Sequence, residues 1–186
     1  MRLAIPGLAI TLAMVTIAQA QTPIPVGGEF LVNTYTTYEQ RTPAIAMTPG
    51  GDFIVVWTSE LQDGDDLGVF GQRFDHEGLP EGGEFQVNTY TTHRQQFADV
   101  SLANDGAIVV VWRTYDPTGA WVEIFARLFD PSGSPEGDEF QVNTYTYHFQ
   151  RQPAVATDGD GDFVIVWSDY TLDGGCCGGV FARLYD

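Results

Sequence analysis

Gly83-Glu84-Phe85-Gln86-Val87-Asn88-Thr89-Tyr90-Thr91 decides how this chain is read. Phe85 to Thr91 recurs letter for letter as Phe140 to Thr146, and with one change as Phe30 to Thr36. Asn33, Asn88 and Asn143 stand 55 positions apart, and so do Trp57, Trp112 and Trp167. The chain therefore holds three copies of one unit, spanning approximately residues 28–82, 83–137 and 138–186. Self-similarity at such a period marks a repeat architecture, in which each unit buries its apolar face against a neighbour.

Within the stretch, Phe30, Val32 and Thr34 fall on one face, and Leu31, Asn33 and Tyr35 on the other. That alternation predicts a strand over Glu29 to Thr36 and its equivalents. A short second run follows: Pro43 to Met47, Ala98 to Leu102 and Pro153 to Thr157. Turns come next, at Pro49-Gly50-Gly51, Asn104-Asp105-Gly106 and Asp160-Gly161, with glycine available for positive φ. The third run is continuously apolar: Phe53 to Trp57, Ile108 to Trp112 and Phe163 to Trp167. Such runs are buried on both faces. The fourth covers Gly68 to Asp75, Glu123 to Asp130 and Gly179 to Asp186, with a recurrent small residue at Gly71, Ala126 and Ala182. His76 to Gly83 and Pro131 to Asp138 read as surface loops.

Four strands per unit, about twelve in all, with a doubly buried third strand, predict an all-β fold of β-propeller-like blades. The alternative is a threefold fold of β-trefoil or β-prism type. If the opening stretch is the outer strand of the preceding blade, the last blade lacks one strand and the first copy has one spare. An ordinary ring needs four or more blades, so a homodimer or other assembly through the unpaired N-terminal strand follows as an expectation.

Residues 1–20 read as a secretory signal peptide: Met1-Arg2, an apolar run from Leu3 to Ile17, then Ala18-Gln19-Ala20. The domain proper is then 21–186, secreted or at the cell surface of a bacterium, with no membrane insertion after cleavage. The net charge of −17, carried without a single lysine, argues against nucleic-acid partners. Cys176 and Cys177 are adjacent, and export would place them in an oxidising compartment as free thiols or disulfide partners.

The units resemble tandem repeats of secreted and surface proteins of Gram-negative bacteria, with the pattern GGEFQVNTYT, PxVA, DGDFVVVW, GxFGQRFD. Gly82 to Thr91, Pro153 to Ala156, Gly161 to Trp167 and Val69 to Asp75 carry the likeness. The resemblance implies propeller-like blades in an extracellular setting and implies no activity. Copy two departs from it at Ala98-Asp99-Val100 and Ala107.

No Ser-His-Asp arrangement, nucleophile elbow or HExxH motif is present. Asp158, Asp160 and Asp162, alternating with glycines before a buried strand, form a candidate Ca2+ loop without the distal Glu of an EF-hand. The loops between the third and fourth runs vary most. There Asp63, Asp65, Asp66, Tyr115 and Trp121 are candidate ligand-binding residues. The three repeated tryptophans suit core packing rather than a sugar platform. The functional expectation is a non-enzymatic binding or adhesion module for a glycan or extracellular protein. The alternatives are a carbohydrate-active hydrolase on a propeller scaffold and a ligand-free structural repeat fragment.

Overall fold

In the computed structural model, residues 23–116, 118–146, 149–169 and 178–186 are described. The signal-peptide span, Cys176, Cys177, His148 and most of the third variable loop lie outside them. The chain divides into a unit Met1–Phe30 and a unit Leu31–Asp186. In the first unit, residues 23–30 are exposed and carry no strand. No helix among the described residues is long and apolar enough to cross a membrane.

Leu31–Asp186 holds eleven strands among its described residues: β1 Gln40–Met47, β2 Phe53–Glu60, β3 Leu67–Phe74, β4 Pro80–Gln86, β5 Gln95–Leu102, β6 Ile108–Tyr115, β7 Val122–Phe129, β8 Phe140–Gln141, β9 Gln150–Thr157, β10 Phe163–Asp169 and β11 Gly179–Tyr185. They form three separate antiparallel sheets, ordered β1-β2-β3-β4, β5-β6-β7-β8 and β11-β10-β9. These sheets are called blades 1, 2 and 3. Among the described residues the sheets are discrete and open and close no ring, in place of the barrel of the trefoil alternative. Strands β1, β5 and β9 are the inner strands: β1 packs beside β5, and β5 beside β9.

The blades run out of phase with the sequence repeat. Strands β4 and β8 belong to the opening stretches of copies two and three, yet they complete blades 1 and 2. Blade 3 has no outer strand among the described residues.

The opening stretch is less regular than its alternation predicts. Only Phe140–Gln141 is strand in the third copy, and Leu31–Thr36 joins no ladder in the first. The conserved geometry of the stretch comes from its asparagine. Val87 N donates to Val69 O at 2.9 Å, and then Asn88 Oδ1 takes the Val69 N–H at 2.7 Å. Asn88 Nδ2 turns back to Tyr90 O, 2.9 Å away. Asn143 does the same, with Ile124 N at 2.8 Å and Tyr145 O at 2.8 Å. A side chain thus finishes the ladder and bends the chain away. The expected loop at His76 to Gly83 is shorter than predicted, because β4 already begins at Pro80.

The second run forms a longer strand than its composition predicts. β1, β5 and β9 each start three residues before Pro43, Ala98 and Pro153, behind a break in register. A left-handed residue sits at each break: Thr42 (φ 51°), Phe97 (φ 56°) and Gln152 (φ 51°). Bulges of this kind re-aim a strand, and positive φ at a β-branched residue such as Thr42 is costly. A buried hydroxyl supports the conformation: Thr58 Oγ1 lies 2.9 Å from Thr42 Oγ1 and accepts from Phe97 N at 3.3 Å.

β2 and β6 are buried on both faces, as their composition requires, whereas β10 is buried on one face and only half-buried on the other. Ile54 and Val56 of β2 and Ile108, Val110 and Trp112 of β6 meet in the core between blades 1 and 2. Val109 and Val111 of β6 point the other way, into the core with Phe163, Ile165 and Trp167 of β10. The tryptophans are core residues, 3 %, 0 % and 8 % exposed in chain order. Gly71 lies under the Phe85 ring, which would stand 3.0 Å from an added Cβ. The recurrent small residue therefore admits a phenylalanine of the outer strand.

Candidate functional site

The variable loops of blades 1 and 2 and the bends after Asn88 and Asn143 lie at the same end of the blades. In that end of blade 2, a cavity of about 370 Å³ is lined by Tyr90, Tyr115, Phe125 and the carboxylates of Asp116, Glu123 and Glu139. Three acids share an aromatic-walled space, and each is held differently.

Glu123 is the second residue of β7 and is 7 % exposed. Its Oε2 accepts from Gln141 Nε2 at 3.1 Å and from Asn143 Nδ2. Desolvation pushes its carboxyl above the ordinary glutamate value. Those two amides oppose the shift, while the charges of Asp116 and Asp169 add to it. Asp169 is itself 2 % exposed and receives Gln150 Nε2 at 3.1 Å.

Asp116 sits in the turn before Trp121. Its desolvation works upward but is outweighed by hydrogen bonds, so its carboxyl lies below the ordinary value. Thr118 Oγ1 donates to Oδ2 at 2.6 Å and Trp121 N to Oδ1 at 2.8 Å. Glu139 accepts from Thr89 N at 2.7 Å and Tyr90 N at 3.2 Å. Two neighbouring acids with opposite shifts are the arrangement that separates a proton donor from an ionised partner.

Blade 1 has a related acid. Asp63 belongs to the loop Leu61–Asp66, not to a strand, yet its carboxylate reaches over Gly68, the positional equivalent of Glu123. A Cβ on Gly68 would come within 2.5 Å of Asp63 Oδ2. Gln86 Nε2 donates to the same oxygen at 3.4 Å, and the Asn88 side chain also bonds the carboxylate. Desolvation again raises the pKa.

The other sequence candidates are placed elsewhere. Asp65 Oδ2 takes the His93 N–H at 3.1 Å, and Asp66 pairs with Arg94 at 2.8 Å, so both fasten the loop to the start of blade 2's inner strand. Trp121 stacks at an angle on Phe149, centroids 6.4 Å apart, and does not line the cavity. Tyr115 does line it. Asp158 Oδ1 accepts the N–H groups of Asp160, Gly161 and Asp162 at 2.9, 3.1 and 3.2 Å, the geometry of a turn cap. Among the described residues no three His, Cys, Asp or Glu side chains converge as a metal site. Glu123 and Asp169, the buried acids of this end, escaped the sequence reading. Their one signal is that carboxylates replace Gly68 and Ser59 of copy one.

No family model and no curated protein matches the sequence. Solved structures share the fold. An α-L-arabinanase from Penicillium chrysogenum, complexed with arabinobiose, superposes with a TM-score of 0.54 at 15 % identity, over 83 % of this chain and 49 % of the enzyme. A Hadza microbial sialidase gives 0.55 at 12 % identity, over 78 % of this chain and 35 % of its own. A protein of unknown function from Dyadobacter fermentans gives 0.55 at 12 %, over 82 % and 39 %. The chain thus spans half or less of each. The likeness is one of blade architecture. The expectation of a non-enzymatic binding or adhesion module is overturned by it, because the functionally named structures that share these blades are carbohydrate-cleaving enzymes.

Proposed function

We propose that this chain is a carbohydrate-active β domain that hydrolyses glycosidic bonds, with the cavity beside Glu123 as its sugar site. The observation that carries the reading is the pairing of Glu123, with a raised pKa, and Asp116, with a lowered one, in one cavity walled by Tyr90 and Tyr115. The names of the arabinanase and the sialidase agree with it. Flat aromatic rings suit the apolar face of a sugar, and a pair of carboxyl groups is the usual equipment for glycoside hydrolysis.

In this scheme Glu123, protonated, gives its proton to the glycosidic oxygen as the C–O bond breaks. Asp116, ionised, takes the proton of the water that adds to the anomeric carbon. The amides of Gln141 and Asn143 fix the Glu123 carboxyl without supplying the positive charge that would keep it ionised. Export directed by residues 1–20 would bring the domain to extracellular polysaccharide.

The test is release of reducing ends from arabinan, xylan and a sialylated oligosaccharide. Hydrolysis of at least one is expected, with Glu123→Gln slower by about 100-fold or more. Folded protein inactive on all three, or a Glu123→Gln variant as fast as the parent, would overturn the proposal.

A further inference from the structure

The seams between blades are built alike, and each has a donor half and an acceptor half. At the first seam, Ile54, Val56, Val69 and Val87 of blade 1 meet Val100, Ile108, Val110, Trp112 and Phe129 of blade 2. At the second, Val109, Val111, Ile124 and Val142 of blade 2 meet Phe163, Ile165 and Trp167 of blade 3, with Val155 and Phe181 packed against them. Polar contacts recur with the apolar ones. Arg127 of blade 2 donates to Val87 O at 3.1 Å, and Arg183 of blade 3 donates to Val142 O at 2.5 Å.

Each half-seam is present once more without its complement among the described residues. On blade 3, Val180 and Leu184 are 81 % and 79 % exposed, whereas the equivalents of Val180, Val69 and Ile124, are fully buried. Strand β11 also offers an outer edge with no ladder partner. On blade 1, Ile45 and Met47 are each 60 % exposed, while Val100, the equivalent of Ile45, is 5 % exposed. Beside that face, Val32 packs against Val55, Trp57, Phe70 and Phe74, as an outer-strand valine packs on the following blade. Leu31–Thr36 is in place there, and differs from its copies at Leu31 alone, yet pairs with no strand.

We propose that blade 3 of one chain docks on blade 1 of a second copy, with Leu31–Thr36 of the second copy completing the outer edge of β11. The repeat fixes the register. Val32 N would donate to Val180 O and Asn33 Oδ1 would accept from Val180 N, as Val87 and Asn88 do with Val69. Edge strands accept an added strand in this way, and the match of both apolar faces selects the same chain rather than an unrelated partner. The contact is heterologous, so a two-chain ring uses it twice and contains six blades, inside the usual range of about four to eight.

The experiment is the solution mass of the full chain under reductant, for the parent, Val180→Asp and Ile45→Asp. Both side chains are exposed within one chain, so neither change disturbs its own core. The parent is expected at twice the chain mass and each variant at the chain mass, with unchanged circular dichroism. A mixture of the two variants at raised concentration is expected to regain a dimer, because one intact seam can form between them. A monomeric parent, a dimeric Ile45→Asp, or a mixture that stays monomeric would overturn the proposal.

Discussion

Asp63 of blade 1 and Glu123 of blade 2 put a carboxylate in corresponding places by different routes. One comes from a loop and crosses a glycine; the other is the first acidic residue of a strand. Both are received by an asparagine and a glutamine of the outer stretch, Asn88 with Gln86 and Asn143 with Gln141. The amide pair is what the scaffold repeats, and the acid is supplied by whichever nearby position carries one. The two differ in their surroundings. Glu123 shares its cavity with Asp116 and two tyrosines, whereas Asp63 has its neighbours Asp65 and Asp66 tied to the next blade.

The largest effect should separate these two acids outright. Glu123→Gln is expected to lose about 100-fold or more in hydrolysis rate, and Asp63→Asn to stay within about twofold of the parent. Equal losses, measured as reducing-end release, would make the two sites functionally the same.

The shared asparagine comes next. Asn143→Ala leaves the Ile124 N–H without its acceptor and Glu123 without one donor, at a cost of about 2–3 kcal/mol in urea unfolding. Asn88→Ala should cost a similar amount, and a negligible effect at either position would break the parallel.

Gly68→Ala tests the detour taken by Asp63. The new Cβ meets the carboxylate, so destabilisation of about 1–2 kcal/mol is expected, with most of it relieved by adding Asp63→Ala. A double variant no better than the single one would show that the glycine serves the backbone instead.

The pH dependence is the smallest effect. Burial raises the Glu123 pKa, so its favourable contribution is complete below the unfolded value of about 4.3 and is lost as pH rises through the folded value. Stability of the parent should therefore fall over that window relative to Glu123→Gln. Identical profiles for the two proteins would show that the group titrates as it does unfolded.

Much of the fold could be read because it rests on local pattern. The 55-residue spacing, the continuously apolar third run and the tryptophans at its end are visible one residue at a time; the three tryptophans and the runs of β2 and β6 are buried as expected, while β10 keeps one face half-exposed. What stayed hidden depends on a neighbouring blade. The left-handed bulges at Thr42, Phe97 and Gln152 have no glycine to announce them, and for Thr42 and Phe97 the support comes from Thr58 of a different strand. Asp99 looked like a departure from the repeat, and its Oδ2 instead accepts from Val155 N of the next inner strand at 2.9 Å. Asp63 and Glu123 could not be paired by alignment, because they occupy different columns of the repeat.

The asparagine that ends each outer stretch has a consequence for how such a chain changes length. Its Oδ1 addresses the strand of the blade just before it, through Val69 N in one case and Ile124 N in the other. Duplication or loss of a whole 55-residue segment leaves every surviving address correct. Gain or loss of a single residue between an asparagine and its target strand misdirects one address and the face that follows it. Genes for such chains are therefore expected to drift in whole units, with small insertions confined to the loops before β3, β7 and β11, where the third copy already carries one extra residue.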